Sequence, residues 1–231
     1  MTLGPGILDK NITRAILRRK IFKLPIEKFH AKKFEWSHKD LAAARSAIRL
    51  ALRAHQDKRC IYCRRRLKIE RRNAYEDIEH FLDKSKPQYR KWAFCCVNLT
   101  LACHACNIQK STKNLGAALI SPLGSVQYAC GPNLYSWLHP YFDDYHANIE
   151  IGEGWTYKIK AGAPSPLKAK QLIKDLLLDD IKKIEADAEA LKAELARLNI
   201  LAMECVKRKK MKSALIVLSA SKVLSEESTF G

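Results

Sequence analysis

The stretch NLTLACHACNIQK, residues 98–110, decides the fold of the centre of this chain. It places Cys103 and Cys106 in a CxxC spacing, and an earlier CIYC sequence places Cys60 and Cys63 at the same spacing. Two CxxC turns supply the four thiolates of a closed tetrahedral zinc shell, and such binding contributes on the order of 10 kcal/mol to folding. We therefore predict a structural Zn²⁺ site that staples together the segment between the two pairs.

Other roles for the cysteines carry less weight. A redox role is the weaker interpretation, because no thioredoxin-like βαβ pattern surrounds either pair. Cys95 and Cys96 remain alternative zinc ligands, and His104 could substitute for a cysteine. Cys130 and Cys205 are most simply buried or free thiols.

Composition indicates the class of partner. The 231 residues include 42 Lys and Arg against 24 Asp and Glu, which gives a formal net charge of +18. A field of this sign attracts polyanions, so DNA is the expected partner. No apolar run approaches the roughly 18 to 20 residues needed to span a bilayer, and no secretory signal is visible. We therefore expect a cytoplasmic protein that does not bind membranes.

The first segment, residues 1–55, is predicted to hold a basic arm and a helix. Within residues 11–35, phenylalanines are scattered among lysines and arginines, which favours a docking arm over a piece of core. A helix should follow from about Ser37, because the run after it is rich in Ala, Leu and Arg. The apolar face of that helix is formed by residues four or three apart, namely Leu41, Ala44, Ile48 and Leu52.

The segments after residue 115 change in pattern. Residues 116–165 are rich in Gly and Pro and predict loops, with a short hairpin in IEIGEGWTYKIK. The stretch HPYFDDYH, residues 139–146, is interpreted as a packed aromatic turn, with a further metal site through His139, Asp143, Asp144 and His146 as the less favoured alternative.

Residues 166–231 predict a helical region. Apolar residues recur there in a four-three spacing, which indicates a long helix that either packs on the protein's own N-terminal helix or docks a partner. A second helix or a strand follows residue 206. The members of the repeat are Leu177, Ile181, Ile184, Ala188, Leu191, Leu195, Leu198 and Ala202.

Within the central segment, residues 56–115, the stretch from 60 to 110 resembles the HNH (ββα-metal) endonucleases. The shared features are an acidic residue followed by a histidine in IEH, Asn98-Leu99 at the second motif, and Cys106-Asn107 at the third, with a cysteine pair at each end. The resemblance implies an α+β fold with a zinc-stapled ββα-metal core, flanked by an N-terminal helix and a C-terminal long helix or helical hairpin. The chain departs from the commonest pattern, with Glu in place of Asp and Asn in place of the third His.

Carried over by position, the resemblance implies one role for each motif residue. Glu79 and Asn107 would bind a catalytic Mg²⁺ or Mn²⁺, His80 would be the general base, and Asn98 would brace the loop that orients His80. The chemistry agrees with these residue types. An imidazole can take a proton from water near neutral pH, and oxygen ligands suit hard divalent cations. Adjacent strand residues point to opposite faces, so Glu79 and His80 can share a site only where the strand ends or bends.

Two functions follow as hypotheses. The first is a metal-dependent HNH endonuclease that cleaves DNA, and the order of motifs is similar to the HNH nucleases paired with an ATPase in Septu-type anti-phage defence. An ATPase partner would then dock on the N-terminal arm or the C-terminal helix. The alternative is a noncatalytic zinc-ribbon module that binds nucleic acid. The basic residues near the motifs are expected to contact phosphates, and we name Arg64, Arg65, Arg66, Lys84 and Lys110.

Overall fold

The computed structural model describes residues 2–70, 73–116 and 134–230, and Cys130 lies outside these ranges. The chain divides into two compact units, Met1–Asp179 and Asp180–Gly231. The helices in chain order are α1 (Lys10–Leu17), α2 (Lys20–His30), α3 (Ala42–His55), α4 (His104–Lys110), α5 (Tyr145–Asn148), α6 (Pro166–Asp175), α7 (Leu178–Lys207) and α8 (Met211–Phe230). The strands are β1 (Ile69–Glu70), β2 (Asn73–Ala74), β3 (Glu76–His80), β4 (Leu99–Cys103), β5 (Ile149–Ile151) and β6 (Tyr157–Ile159). The chain is therefore of mixed α and β structure.

A strand, a second strand and a helix form the centre of the first unit. Strands β3 and β4 pair antiparallel, with His80 opposite Leu99 and Glu76 opposite Cys103. The chain passes directly from β4 into α4, because Cys103 is both the last strand residue and the helix N-cap. Both α3 and α4 contact this strand pair, so its central residues are covered on both faces.

The free edge of β4 is closed by a glutamine side chain. Gln56 is fully buried directly after α3, and its amide nitrogen donates to the Leu101 carbonyl at 2.8 Å. Its amide oxygen accepts from the Leu101 amide, also at 2.8 Å. The Ile61 amide donates to the same Leu101 carbonyl at 2.9 Å. Buried backbone groups need such partners, so the Gln56 side chain and the Ile61 amide together take the place of a third strand at that position.

The N-terminal helices are part of the core. The predicted apolar face of α3 is confirmed, since Leu41, Ala44 and Ile48 are fully buried and Leu52 is 1% exposed. The docking-arm interpretation of residues 11–35 does not hold for Phe22 and Phe29, because both are buried and lie in α2. The basic residues around them point outward, and this amphipathic division is easily taken for an unpacked arm.

The rest of the first unit covers the centre with short elements. The predicted hairpin is present, as β5 pairs antiparallel with β6. The stretch at residues 139–146 is a packed turn. His139 is fully buried and stacks on Phe142 with ring centroids 4.2 Å apart, and Asp143 pairs with Lys168 at 2.9 Å.

The C-terminal region is helical but not continuous. Helix α6 ends near Leu177, whose φ of 50° lies in the left-handed region, so the first predicted heptad position falls outside a helix. The segment after residue 206 is a helix, α8, rather than a strand. No helix in the described ranges is long and apolar enough to cross a membrane.

Candidate functional site

The four predicted cysteines come together in one cluster. The sulfur atoms of Cys60, Cys63, Cys103 and Cys106 all lie within 4.8 Å of one another, and the Cys63 and Cys103 sulfurs are 3.8 Å apart. A tetrahedron with zinc–sulfur bonds of about 2.3 Å has sulfur–sulfur edges of about 3.8 Å. The four side chains are therefore positioned to bind a metal ion, consistent with structural zinc.

Burial of the cluster favours a bound cation. Desolvation raises the pKa of the Cys60 thiol well above its ordinary value, and a bound metal ion would hold the group as a thiolate. The alternative ligands do not take part. Cys95 and Cys96 lie outside the cluster, and the exposed His104 ring turns to Asp77 instead. Among the described residues, no other group of three or more metal-ligating side chains occurs, so the second metal site considered at residues 139–146 is not formed.

Arg64 supports the cysteine cluster from inside. Its side chain is 1% exposed, and the guanidinium carbon lies 4.1 Å from the centre of the Tyr145 ring. Four thiolates around Zn²⁺ leave a net negative charge, and a buried guanidinium beside them offsets part of it. This buried position does not present the Arg64 guanidinium at the surface, and its contact with nucleic acid stays a prediction. Arg65 is half-buried and Arg66 is exposed, so both stay candidates for that role.

Glu79 lies in a closed network. It is 2% exposed, and one of its carboxylate oxygens accepts hydrogen bonds from the Tyr62 hydroxyl at 2.7 Å and the Thr100 hydroxyl at 3.1 Å. The other oxygen is 2.6 Å from the ammonium of Lys110. Because Tyr62 stands between the first two cysteines, the metal cluster and Glu79 are held by the same turn.

Lys110 joins the two adjacent motif residues. Its ammonium donates to the His80 carbonyl oxygen at 2.9 Å and pairs with the Glu79 carboxylate. The lysine side chain is 3% exposed. The prediction that Lys110 contacts phosphate therefore does not hold for this arrangement, in which it is a buried counterion.

His80 is the last residue of β3. The strand therefore ends at the Glu79–His80 pair, which is the condition for both side chains to reach one site. The His80 Nε2 atom lies 3.1 Å from the Ala93 carbonyl oxygen, and the Trp36 ring packs against the imidazole in a T-shaped arrangement with centroids 4.5 Å apart. A carbonyl only accepts, so Nε2 carries the proton and Nδ1 of the neutral ring keeps its lone pair. Burial, followed by the charges of Lys84 and Lys110, lowers the pKa of His80 well below its ordinary value. The ring is therefore neutral at pH 7.

Asn98 holds the loop that follows His80. Its side-chain oxygen accepts from the Leu82 amide at 2.7 Å, and its nitrogen donates to the carbonyls of Leu82 and Trp92, each at 3.1 Å. The side chain is fully buried. These hydrogen bonds fix the backbone at two points of the loop that follows His80, namely at Leu82 and at Trp92.

Asn107 is held apart from Glu79. Its amide nitrogen donates to the Asp77 carboxylate at 3.0 Å, and the His104 ring nitrogen lies 2.9 Å from the same oxygen. The structure thus joins Glu79, Lys110 and the backbone of His80, and leaves Asn107 with Asp77. Sequence reasoning missed Asp77, although its place two residues before Glu79 puts both on one face of β3.

Lys84, like Arg65 and Arg66, is a predicted phosphate contact that stays available. Its ammonium lies 5.4 Å from the centre of the Trp36 ring, and desolvation is the main cause that lowers the pKa of this amine. No carboxylate of the described residues comes within 4.0 Å of it.

Comparison with protein-family models, curated proteins and solved structures gives no match to this chain.

Proposed function

We propose that this chain is a metal-dependent HNH-type endonuclease that hydrolyses phosphodiester bonds in DNA. The observation that carries the proposal is His80, a neutral imidazole whose Nε2–H is fixed by the Ala93 carbonyl. Nδ1 is left to accept the proton of an attacking water, which is the task of a general base. The ββα-metal interpretation of β3, β4 and α4 belongs to the same proposal.

The neighbouring residues support this role for His80. Asn98 keeps the following loop in place, and the Trp36 ring, in T-shaped contact with the imidazole, excludes solvent from one side of it. Lys84 offers a positive charge beside the histidine, where a scissile phosphate would bind. A phosphate in that position would also oppose the two lysines that lower the histidine pKa, so substrate binding should make His80 a stronger base.

The proposed catalytic cation fits these residues by type of ligand. Glu79 and Asn107 provide the oxygen ligands that Mg²⁺ and Mn²⁺ prefer, and a bound cation would neutralise charge that builds on the phosphate. They do not form an open pair, because the Glu79 carboxylate is already matched by Lys110.

Partners follow as part of the same proposal. DNA would bind along Arg65, Arg66 and Lys84. An ATPase partner, as in Septu-type defence, would dock on the C-terminal helices, which expose large apolar side chains such as Met203 and Ile216. The phenylalanines of α2 are buried, so the N-terminal region exposes less apolar surface on which such a partner could dock.

A noncatalytic zinc-ribbon module is the second candidate. The observation that favours it is the saturation of Glu79, whose two oxygens already have three partners. A buried ion pair of this kind also occurs where a carboxylate serves only the fold.

The experiment that separates the two candidates is His80→Ala. For the nuclease, this variant should keep its zinc and its DNA affinity but lose Mg²⁺- or Mn²⁺-dependent cutting. His38→Ala, outside the site, serves as the matched control and should cut normally. The products should carry 5′-phosphate and 3′-hydroxyl ends. Unchanged cutting by His80→Ala, or 3′-phosphate ends, would rule out this mechanism.

A further inference from the structure

The ammonium of Lys110 occupies an oxygen-lined position. It lies 2.6 Å from a carboxylate oxygen of Glu79 and 2.9 Å from the carbonyl oxygen of His80. Carboxylate and backbone carbonyl oxygens are also the ligands that hard divalent cations take. The lysine therefore stands where the chain presents its own cation-binding atoms.

Glu79 needs a positive charge at this position. The Tyr62 and Thr100 hydroxyls donate hydrogen bonds to it but bring no charge. Among the described residues, Lys110 alone lies within ion-pair distance of the buried carboxylate. A buried carboxylate without a counterion is costly, so removing Lys110 leaves a position that favours another cation.

We infer that Lys110 is an internal cation that competes with a divalent metal ion for Glu79, so that metal binding expels the lysine. The inference rests on the proposed function in one respect, that Glu79 is a cation ligand. A divalent ion and an ammonium repel each other at such separations, so the two do not share the position.

The place of Lys110 in the fold allows it to leave. It is the last residue of α4, and Ser111 after it has a φ of 47°, so the helix ends here. Four methylene groups connect the ammonium to the backbone, and rotation about them carries the charge away without moving the helix. The expelled ammonium becomes available to a DNA phosphate.

Manganese binding tests the competition directly. Zinc-loaded protein is titrated with Mn²⁺ and free Mn²⁺ is followed by electron paramagnetic resonance, with no DNA present. Lys110→Met should bind Mn²⁺ at least tenfold more tightly than the unaltered chain, and Lys113→Met, the matched control, should not differ from it. Glu79→Gln should abolish the tight binding in the Lys110→Met background. Equal or weaker binding by Lys110→Met, or binding that survives Glu79→Gln, overturns the inference.

A second measurement needs no substitution and covers the case in which Lys110→Met fails to fold. Acetylation of each lysine in the unaltered protein is followed by mass spectrometry, with and without saturating Mg²⁺. Lys110 should react at least tenfold faster with Mg²⁺, while Lys113 reacts at one rate throughout. Protection of Lys110 in both conditions overturns the inference. Neither readout involves cleavage, so failure of the nuclease proposal, seen as normal cutting by His80→Ala, is distinguishable from failure of this one.

Discussion

Replacing Asn98 by alanine should destabilise the first unit by about 3 kcal/mol. The fully buried side chain makes three hydrogen bonds to the backbone, two to Leu82 and one to Trp92. Each buried polar group left without a partner costs about 1–3 kcal/mol, and we take the low end because water can enter the space that the amide leaves. In a unit of this size the loss lowers Tm by about 6–12 °C.

Urea unfolding in excess zinc, followed by tryptophan fluorescence, measures this loss. Asn11→Ala is the matched control, since Asn11 is exposed at the start of α1, and it should change the free energy of unfolding by less than about 0.5 kcal/mol. Asn98→Asp keeps the acceptor for the Leu82 amide but turns a carboxylate toward two carbonyl oxygens. It should be at least as destabilising as alanine at neutral pH. A loss below about 1 kcal/mol for Asn98→Ala would refute the bracing role, because three unsatisfied groups could not then result from it.

Three further outcomes are expected. Removing the metal ion with a chelator, or substituting Cys106→Ser, should abolish the cooperative thermal transition of the first unit. The reason is that zinc binding contributes about 10–16 kcal/mol, which matches the stability of a whole domain. An unchanged Tm would contradict this expectation. The pKa values of His80 and His139 are lowered well below the ordinary 6.5, chiefly by burial, so the unfolded chain takes up protons first and stability falls as pH drops below 6.5. His80→Gln should make the decline in unfolding free energy between about pH 6 and 5 shallower by about 1 kcal/mol, and an unaltered slope would argue against a neutral buried ring. Lys84→Ala should reduce the slope of log Kd for DNA against log salt by about 0.9, whereas a constant slope would remove Lys84 from the interface.

Local patterns predicted the parts of the fold that depend on neighbours in sequence. The spacing of two CxxC pairs was sufficient to predict the cysteine cluster, because a turn of this length brings two sulfurs to one ion whatever surrounds it. The apolar face of α3 and the β5–β6 hairpin follow from periodicity in the same way. In contrast, no Gly or Pro marks a helix end near Leu177, so the repeat predicted one continuous helix. The backbone instead turns left-handed at Leu177, between α6 and α7.

Contacts between distant residues could not be predicted from pattern. The ion pair between Glu79 and Lys110 joins residues 31 positions apart, and nothing in either local sequence distinguishes a buried lysine from a solvated one. Asp77 was overlooked for the same reason, since its contact with Asn107 exists only once α4 has packed on β3. The site residues could be named from motif order, but their partners required the fold.

Two of the predicted phosphate contacts, Arg64 and Lys110, are buried for a shared physical reason. Arg64 and Lys110 both follow a metal or acidic motif closely, and each is drawn inside to balance the negative charge that the motif buries. Buried anions must be compensated, and the cations nearest to them in the fold meet that need first. The chain has a formal net charge of +18. Even so, the lysines and arginines that balance a buried anionic site are the least available to DNA. Arg66 is exposed and Lys84 is half-buried, so both stay candidates for a phosphate contact.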